Sequence, residues 1–401
     1  MAREARGRRG GGQARPASET KVASIILLAA VFALVVVGLL MVFSASSADL
    51  SAQGKSPYKD VFGQAVYVAV GIVACVITWQ FIPYHAWAGR LTWAFWGFCM
   101  VLLLLTFIAG TEVNGAKRWL YIGPIGMQPS EFIKVALLLM TIRIAHRFQI
   151  GEIDFRLSII ELVILIAAPL GFMYLTQSDL GTTLICAVGI FAVLWIGGFP
   201  AWSLVAIAAL GVLAVVGGTL GSGYRSNRFV YLDPWNDGEG GLGSGYNIIR
   251  SYFALAEGGL FGVGIGNSHE KYQYLFASDS DFIFAVLGEE MGLVGALAVI
   301  GLFLLFLFAS LKISSGAPDS LGSMIAGGCA IMLVFQAFLN IGCAIGVFPT
   351  TGKPLPFISS GGTSVISSLL IVGLILSVQH ASAPDRSFDK ARDDLRVIRN
   401  R

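Results

Sequence analysis

The stretch "ASDSDFIFAVLGEEMGLVGALAVIGLFLLFLF", residues Ala277–Phe308, decides the fold class of this protein. After Glu290 it carries no charged side chain, and the segment 282–310 is long enough to cross a lipid bilayer as a helix. Its four carboxylates belong to Asp279, Asp281, Glu289 and Glu290. Because a carboxylate is costly beside lipid, each of them needs a partner, water or a function.

The composition extends this interpretation to the whole chain. Of the 401 residues, 56% are hydrophobic and 13% are charged, and the mean hydropathy of +0.76 is typical of a membrane protein. We therefore predict an all-α polytopic membrane protein with about ten transmembrane helices and a long extracytoplasmic loop, 220–281, between helices 7 and 8. The predicted spans are 22–46, 61–82, 91–109, 130–148, 157–175, 180–197, 200–219, 282–310, 321–347 and 361–380.

Positive charges at both ends of the chain set the predicted orientation. Residues 1–21 form a basic tail, residues 381–401 form a second charged tail, and residues 22–380 form the transmembrane domain. Because loops rich in Lys and Arg stay on the cytoplasmic side, both termini are predicted to be cytoplasmic. Basic tails beside a membrane usually set topology or touch anionic lipid, so we expect no nucleic-acid partner.

This orientation places three unusual connections on the outer face. They are "TEVNGAKRWLYIGPIGMQ" after span three, the Gly-rich segment 220–281, and "FPTTGKPLPFISSGGTS" before span ten. A long loop inside a compact membrane protein is usually functional, so the chemistry is expected on this face. The five cysteines show no metal-ligand spacing and predict no disulfide framework.

Charged residues around the fourth span allow two interpretations. Glu131 and Lys134 lie three residues apart, so they share one face of a helix and could form a structural pair. Alternatively, Lys134 joins Lys117 and Arg118, which precede the span, in an outward-facing cationic pocket for an anionic headgroup. Asp179, at the outer end of span six, could likewise cap its helix or orient a cation.

Asp281 is the carboxylate predicted to lie at the membrane–water boundary. In a continuous helix that begins near Asp281, the glycines at 288, 292 and 295 would lie below it on the same side. Such a glycine stripe suits either a close helix contact or a smooth path for a lipid tail.

The other three carboxylates are expected to be structural or solvated, without a part in the chemistry. Glu289 and Glu290 lie deeper than Asp281 and point elsewhere, so both are predicted to be structural. A hydroxyl or a cation on another span is expected to satisfy Glu289. Asp279 is predicted to be a solvated loop residue.

Several motifs in a fixed order identify a family resemblance. They are "GAKRWLYIGPIGMQPSEFIK", "QSDLGTT", "RFVYLDPWNDGEGGLGSGYNIIRS", "GIGNS", "SDFIFAVLGEE" and "PLPFISSGGTS". With these motifs the chain resembles the SEDS proteins (shape, elongation, division, sporulation), the family of FtsW, RodA and SpoVE, and is most similar to the FtsW branch. The likeness runs from span one through span ten.

The resemblance implies a peptidoglycan glycosyltransferase of the cytoplasmic (inner) membrane that polymerises lipid II at the outer face during cell division. It implies Asp281 as the essential acid, which fits a general base for the acceptor hydroxyl. The expected substrate-binding residues are Lys117, Arg118, Glu131, Lys134, Arg228 and Ser360. The cations among them would neutralise the polyprenyl pyrophosphate, and a divalent cation, Mg²⁺ or Mn²⁺, could assist the leaving group. The implied partners are a class B penicillin-binding protein transpeptidase and divisome proteins.

Four positions depart from the family pattern. Ser178 stands where Pro is common, Asn247 where Gln is common, and Ser360 where Tyr is frequent. Lys353 stands where an apolar residue is frequent. These departures leave the acid of the "DFIF" motif in place.

Two other functions stay open at this point. The chain could be a flippase or transporter of a lipid-linked cell-wall precursor, or a RodA-like elongation polymerase. An enzyme gathers its essential groups on the outer face, whereas a carrier needs a polar path to both sides, often through broken helices in repeated halves. Because most unusual charges are placed outside and no repeat is evident, the sequence favours the enzyme.

Overall fold

The computed structural model describes residues 17–382 except 53, 114–115, 124, 221–226 and 273. Most of the two predicted tails therefore lies outside the described residues. The helices are α1 Ala17–Ala52, α2 Lys59–Gln80, α3 Arg90–Ala109, α4 Ser130–Gln149, α5 Phe155–Gln177, α6 Leu180–Ile196, α7 Ala201–Leu220, α8 Tyr246–Gly258, α9 Ile283–Ser315, α10 Ser320–Ala344 and α11 Gly362–Ser382.

Seven of these helices are long and apolar enough to cross a membrane. They are α1, α2, α3, α5, α9, α10 and α11. The other three predicted spans also coincide with helices: α4 carries four charged side chains, α6 has 17 residues, and α7 is an apolar helix of 20 residues whose side chains are only partly described. The all-α multi-pass class is confirmed, whereas the count of ten spans stays a prediction.

The helix pair α10 and α11 forms the centre of the bundle. Their apolar windows are 83% buried, while those of α2 and α3 are 28% buried and present apolar side chains outward. Glycines allow α2 to approach α11 closely: a Cβ on Gly71 would collide with Leu369, and a Cβ on Gly373 would press on Cys75. Small residues at such contacts let helix backbones pack without a hydrophobic driving force. All five cysteines are buried and free, as expected.

A small antiparallel sheet follows α3 and was missed by the sequence reasoning. Its strands are β1 Thr111–Val113, β2 Ala116–Ile122 and β3 Ile125–Met127, in the order β1-β2-β3. Gly123 has a φ of 62° where the chain turns between β2 and β3, a conformation that short hairpins require. The run "WLYI" of aromatic and β-branched residues, which Gly123 ends, is the signal that predicts a strand here.

The long connection between α7 and α9 carries more structure than its sequence suggested. It contains a short 3₁₀ helix, Asn227–Leu232, and the amphipathic helix α8. The C-terminal end of α8 lies against α9, because a Cβ on Gly258 would collide with the carbonyl of Gly288. Apolar residues of α8, such as Ile248 and Ala254, are buried against the bundle, so a helix lies inside a segment that was predicted only as a Gly-rich loop.

Helix α9 is broken at Gly292, which has φ 67° and ψ −170°. The segment after α8 fills the break, with the Val263 N–H donating to the carbonyl of Glu289 (3.0 Å) and the Leu293 N–H to that of Gly259 (2.9 Å). Backbone groups freed by a helix break at membrane depth need such partners from the protein. The helix below Asp281 is therefore not continuous, but the glycines at 288 and 292 do form close contacts, as one interpretation of the stripe expected: a Cβ at these positions would collide with Leu255 and with the backbone of Leu260.

We expect Gly292→Ala to destabilise the protein. A Cβ at this position would collide with the backbone of Leu260 and Gly262, and a positive φ strains any residue with a side chain. The strain alone costs about 1–3 kcal/mol of unfolding free energy, which thermal unfolding of the purified protein would report as a lower midpoint.

Gly301→Ala is the matched control in the same helix. No described atom lies within 4 Å of a Cβ at Gly301, so this variant should unfold at or slightly above the wild-type temperature. Equal stability of Gly292→Ala and wild type would contradict the role assigned to the break.

Candidate active site

Asp281 is held by its backbone at the start of α9. The Asn340 amide of α10 donates to the carbonyl of Asp281 (2.9 Å) and also to that of Lys353 (2.8 Å). The Ser359 hydroxyl donates to the carbonyl of Ser280 (2.6 Å), and the Ser360 N–H to that of Asp279 (2.8 Å). These bonds clamp residues 279–281 to the connection 349–361, so two outer segments distant in sequence form one surface.

The Asp281 carboxylate itself is left without a donor. Within the described part of the chain, no side chain or backbone N–H donates to it, although Asp281 is only partly exposed. Its Oδ2 would lie 3.5 Å from a Cβ on Gly352, so only the bare backbone of that glycine lies beside it. Burial raises the pKa of Asp281 to about 6; Lys353 and Arg118 act to lower it and Asp279 to raise it.

Lys353 is the nearest buried cation to this site, and it pairs with Asp179. Its Nζ donates to Asp179 Oδ2 over 2.7 Å, and both side chains are fully buried. Asp179 also caps α6, since its Oδ1 accepts from the Thr182 N–H (3.0 Å). Both interpretations of Asp179 therefore hold. Burial acts to raise the pKa of Asp179, but Lys353 and Arg118 outweigh it and hold that pKa below its usual value.

Arg118 is the second cation that influences Asp281. Its Nε donates to the carbonyl of Gln177 (2.8 Å) and its Nη2 to that of Ser178 (3.1 Å). Ser178 has a φ of 50°, and this left-handed turn presents both carbonyls to the half-buried guanidinium. Nη1 makes no hydrogen bond to any residue that the structure describes, so it is free to bind an anion.

The side chains of Lys117 and Ser360 make no contact with Asp281 within the part of the chain that the structure describes. Lys117 is exposed on β2, where it pairs in register with Glu112. Ser360 reaches the site through its backbone N–H. Arg228 belongs to the 3₁₀ helix Asn227–Leu232, and its side chain lies outside the described residues.

Glu131 and Lys134 form a buried pair beneath the site. Lys134 Nζ donates to Glu131 Oε2 and to Gln336 Oε1, both over 2.6 Å. The Gln336 amide in turn donates to the carbonyl of Pro354 (3.0 Å), next to Lys353. With exposed fractions of 1% and 2%, the pair fits the structural interpretation and does not open outward. It supports the segment that carries Lys353.

Glu289 and Glu290 are satisfied mainly by the segment before α9. The Ser268 hydroxyl donates to Glu289 (2.6 Å), so a hydroxyl was expected correctly but comes from a loop and not from another span. Glu290 accepts from Lys271 Nζ (2.9 Å) and from the Ser44 hydroxyl of α1 (2.5 Å). Both glutamates are therefore structural, as predicted.

A cavity of about 680 Å³ opens beside this clamped surface. Its wall includes Asp279 and Ser278, two and three residues before Asp281, together with Lys55 from the α1–α2 connection and Lys59 and Asp60 from the start of α2. Lys117 and Arg118, which the sequence placed in a cationic pocket, are not among the described residues that line this cavity. Lys55 and Lys59 were missed because two lysines flanking a span look like ordinary interfacial anchors. The sequence showed Lys353 only as a departure from the family pattern, and its pairing with Asp179 was not predicted.

A model of the cell cycle protein family that includes FtsW, RodA and SpoVE matches residues 25–383. The chain belongs to this family. Stage V sporulation protein E of Bacillus subtilis (strain 168) is 32% identical over 363 residues, covering 89% of this chain and 97% of that protein. A probable peptidoglycan glycosyltransferase FtsW of Taylorella equigenitalis (strain MCE9) is 36% identical and covers 86% of this chain and 95% of its own.

Solved structures of family members agree with the architecture. Rod shape determining protein RodA of Thermus thermophilus matches with a TM-score of 0.65 and 28% identity, covering 90% of this chain and 97% of that one. A chain of a peptidoglycan synthase complex that coordinates polymerization and crosslinking matches with a TM-score of 0.69 and 29% identity, covering 90% and 98%. The resemblance drawn from the motifs is thereby confirmed.

We expect Lys353→Met to be strongly destabilising, because it leaves the Asp179 carboxylate buried and unpaired. Removing one partner of a buried pair costs about 3–5 kcal/mol. The double variant Lys353→Met/Asp179→Asn should recover much of the loss, since Asn keeps the cap and carries no charge. Thermal unfolding of both variants tests this, and additive losses in the double variant would contradict the pairing.

Proposed function

We propose that this protein polymerises lipid II into peptidoglycan glycan strands at the outer face of the cytoplasmic membrane, with Asp281 as general base. The observation that carries the proposal is a carboxylate whose backbone is clamped on both sides while its oxygens accept no hydrogen bond within the described residues. A base must be rigidly placed, free to accept a proton and close to neutral in pKa, and Asp281 meets these three requirements. Relatives named as probable peptidoglycan glycosyltransferases support the reaction class.

The proposed reaction is a direct, inverting displacement. The acceptor 4-hydroxyl attacks the anomeric carbon of the donor, and a new carbon–oxygen bond forms as the bond to the polyprenyl pyrophosphate breaks. The hydroxyl proton passes to Asp281, which later releases it to water. Negative charge develops on the leaving pyrophosphate, and fixed cations stabilise such charge best where water is excluded.

Arg118 and Lys353 have different tasks in this reaction. Lys353 is committed to Asp179, so it acts as a fixed positive charge that keeps Asp281 from binding its proton too tightly. Arg118 keeps Nη1 available and is the better candidate to bind a phosphate oxygen directly. Lys117 and Arg228 remain proposed outer contacts of the lipid-linked headgroup.

The cavity beside Asp279 suits part of the lipid-linked sugar. Its volume of about 680 Å³ lies in the range of small-ligand sites. Lys55 and Lys59 place positive charge at its rim, as an anionic headgroup requires. We propose that one substrate headgroup occupies this cavity while its reacting end lies against Asp281.

The helix break in α9 gives less support to a carrier function than to the polymerase. A transporter uses broken helices to open a polar path, usually in two repeated halves. The break at Gly292 is instead filled by residues 259–264, which pair with its free backbone groups. The outer position of the clamped carboxylate favours the polymerase over the flippase.

Partners and setting follow from the family. Because one matching structure is a chain of a synthase complex that couples polymerization to crosslinking, we propose a class B penicillin-binding protein transpeptidase as partner. The relatives named FtsW favour a role in division with divisome proteins over RodA-like elongation. We also propose that the protein lies in the inner membrane with both termini in the cytoplasm.

Asp281→Asn should abolish polymer formation from purified lipid II, because asparagine cannot take up the acceptor proton. Loss of a general base costs about 10²–10⁴-fold in rate. Asp154→Asn is the matched control: Asp154 is exposed and caps α5 by accepting from the Leu157 N–H, a bond that asparagine keeps, so polymerisation should continue. Gel analysis of glycan products, with the partner transpeptidase present, makes the measurement. Equal polymer from Asp281→Asn and wild type would exclude the general-base role.

The pH profile of polymerisation should follow the Asp281 carboxylate. The ionised form is active, so the rate should fall as the pH drops through about 6 and level off above it. Asp279→Asn removes a charge that raises the pKa of Asp281, so its acid limb should move to lower pH. Arg118→Gln removes a charge that lowers this pKa, so its limb should move to higher pH. If the acid limbs of these two variants do not move in opposite directions, Asp281 is not the group that titrates in the pH profile.

A further inference from the structure

A second polar cluster lies where α8 ends, on the segment that leads to α9. It consists of Glu257, in the last turn of α8, and of His269 and Glu270. One donor atom from each residue lies within 4.8 Å of the others. Among the described residues this is the single place where three His, Cys, Asp or Glu side chains converge in this way, and Asp281 is not part of it.

Glu270 gives an independent reason to place a ligand here. Its side chain is 2% exposed, and Oε1 accepts from Arg250 Nη1 over 3.2 Å. Oε2 is also buried, yet it has no hydrogen-bond partner within the described structure. Because buried carboxylate oxygens are nearly always satisfied, this unmatched oxygen points to a missing cation or donor.

The charge balance around Glu270 also favours a cation. Two carboxylates, those of Glu257 and Glu270, come together here, and Arg250 is bonded to one oxygen of Glu270. The guanidinium of Arg250 is positioned by aromatic rings, since it lies 4.8 Å from the centre of Tyr274 and 5.4 Å from that of Tyr246. It therefore serves one oxygen of Glu270 and leaves the other available.

The histidine is positioned by its own backbone and by a ring contact. The N–H of His269 and the hydroxyl of Ser268 both donate to the Glu289 carboxylate, which fixes this turn on α9. The imidazole stacks on Tyr274 with 5.2 Å between ring centres. These contacts limit the freedom of the imidazole, so less entropy would be lost on binding a ligand.

We propose that Glu257, His269 and Glu270 form a binding site for a divalent transition-metal ion of the Zn²⁺ class. One imidazole and two carboxylates suit Zn²⁺, with water as a further ligand. Two donors on one such ion lie at most about 4.2 Å apart, given metal–ligand distances of about 2.0–2.1 Å. The exposed side chains of Glu257 and His269 can close the difference from 4.8 Å by small rotations.

A metal at this position ties α8 to the segment that completes the broken helix. Glu257 belongs to α8, while His269 and Glu270 belong to the turn bonded to Glu289 at the break. The ion would therefore cross-link two pieces of the outer connection and hold residues 259–264 against α9. Its role is structural, and it is separate from the chemistry at Asp281.

The test measures metal binding by the full-length protein, purified without a polyhistidine tag and stripped of metal. Calorimetric titration with Zn²⁺ should show one equivalent bound, and Co²⁺ should give the visible absorption of a nitrogen- and oxygen-bound ion. His269→Ala and Glu270→Gln should each weaken binding at least about tenfold, because removing a ligand costs more than altering its surroundings. Glu257→Gln should weaken it as well.

His85→Ala is the matched control, since His85 is an exposed histidine that contacts Asp319 elsewhere on the protein. It should bind Zn²⁺ as wild type does. Thermal unfolding without metal checks that each variant is folded, and added Zn²⁺ should raise the midpoint of wild type and of His85→Ala alone. No saturable binding by wild type at about 1 mM Zn²⁺, or equal binding by all variants, would overturn the proposal.

Discussion

A charge buried in this protein is stable only where an opposite charge or a donor faces it, and this constraint organises the end of the bundle that carries Asp281. Three lysines meet three carboxylates out of water: Lys353 with Asp179, Lys134 with Glu131, and Lys271 with Glu290. Two of these pairs join a connecting segment to a helix. The outer connections are therefore bound to the bundle by interactions that would be costly to break singly, and the surface that they form is rigid.

Asp281 is the exception to that rule, and the exception defines the site. Its carbonyl is held by Asn340 and its neighbours by Ser359 and Ser360, so the position of the residue is fixed without use of its carboxylate. Lys353 lowers the pKa of Asp281 only through space, because its own donor is committed to Asp179. A rigid, unpaired carboxylate with a pKa near neutrality is suited to proton transfer, whereas the paired carboxylates are suited to holding the fold.

The break in α9 shows how the same protein manages backbone groups out of water. Gly292 turns the chain out of the helix, and residues 259–264 supply the hydrogen bonds that the helix gives up. Glu289 and Glu290 lie at this break. Glu289 accepts hydrogen bonds from Ser268 and His269, and Glu290 accepts one from Lys271, so the two glutamates hold this segment against α9. The start of α9, and with it Asp281, is thus placed by a connection that is folded into the bundle.

The sequence by itself determined the fold class, the approximate helix bounds and the family, because long apolar runs and ordered motifs are local signals. The role of Asp281 stays a prediction that the family resemblance implies. The sequence also predicted correctly that Glu289 and Glu290 are structural and that Glu131 can pair with Lys134, since spacing along one helix fixes such neighbours. Only the tertiary structure decided which cations face Asp281. Lys353 lies 72 positions after Asp281 and Asp179 lies 102 positions before it, and no periodicity links residues so far apart. The break at Gly292 was likewise invisible, because a helical pattern continues through it and the backbone partners that make the break stable come from another segment.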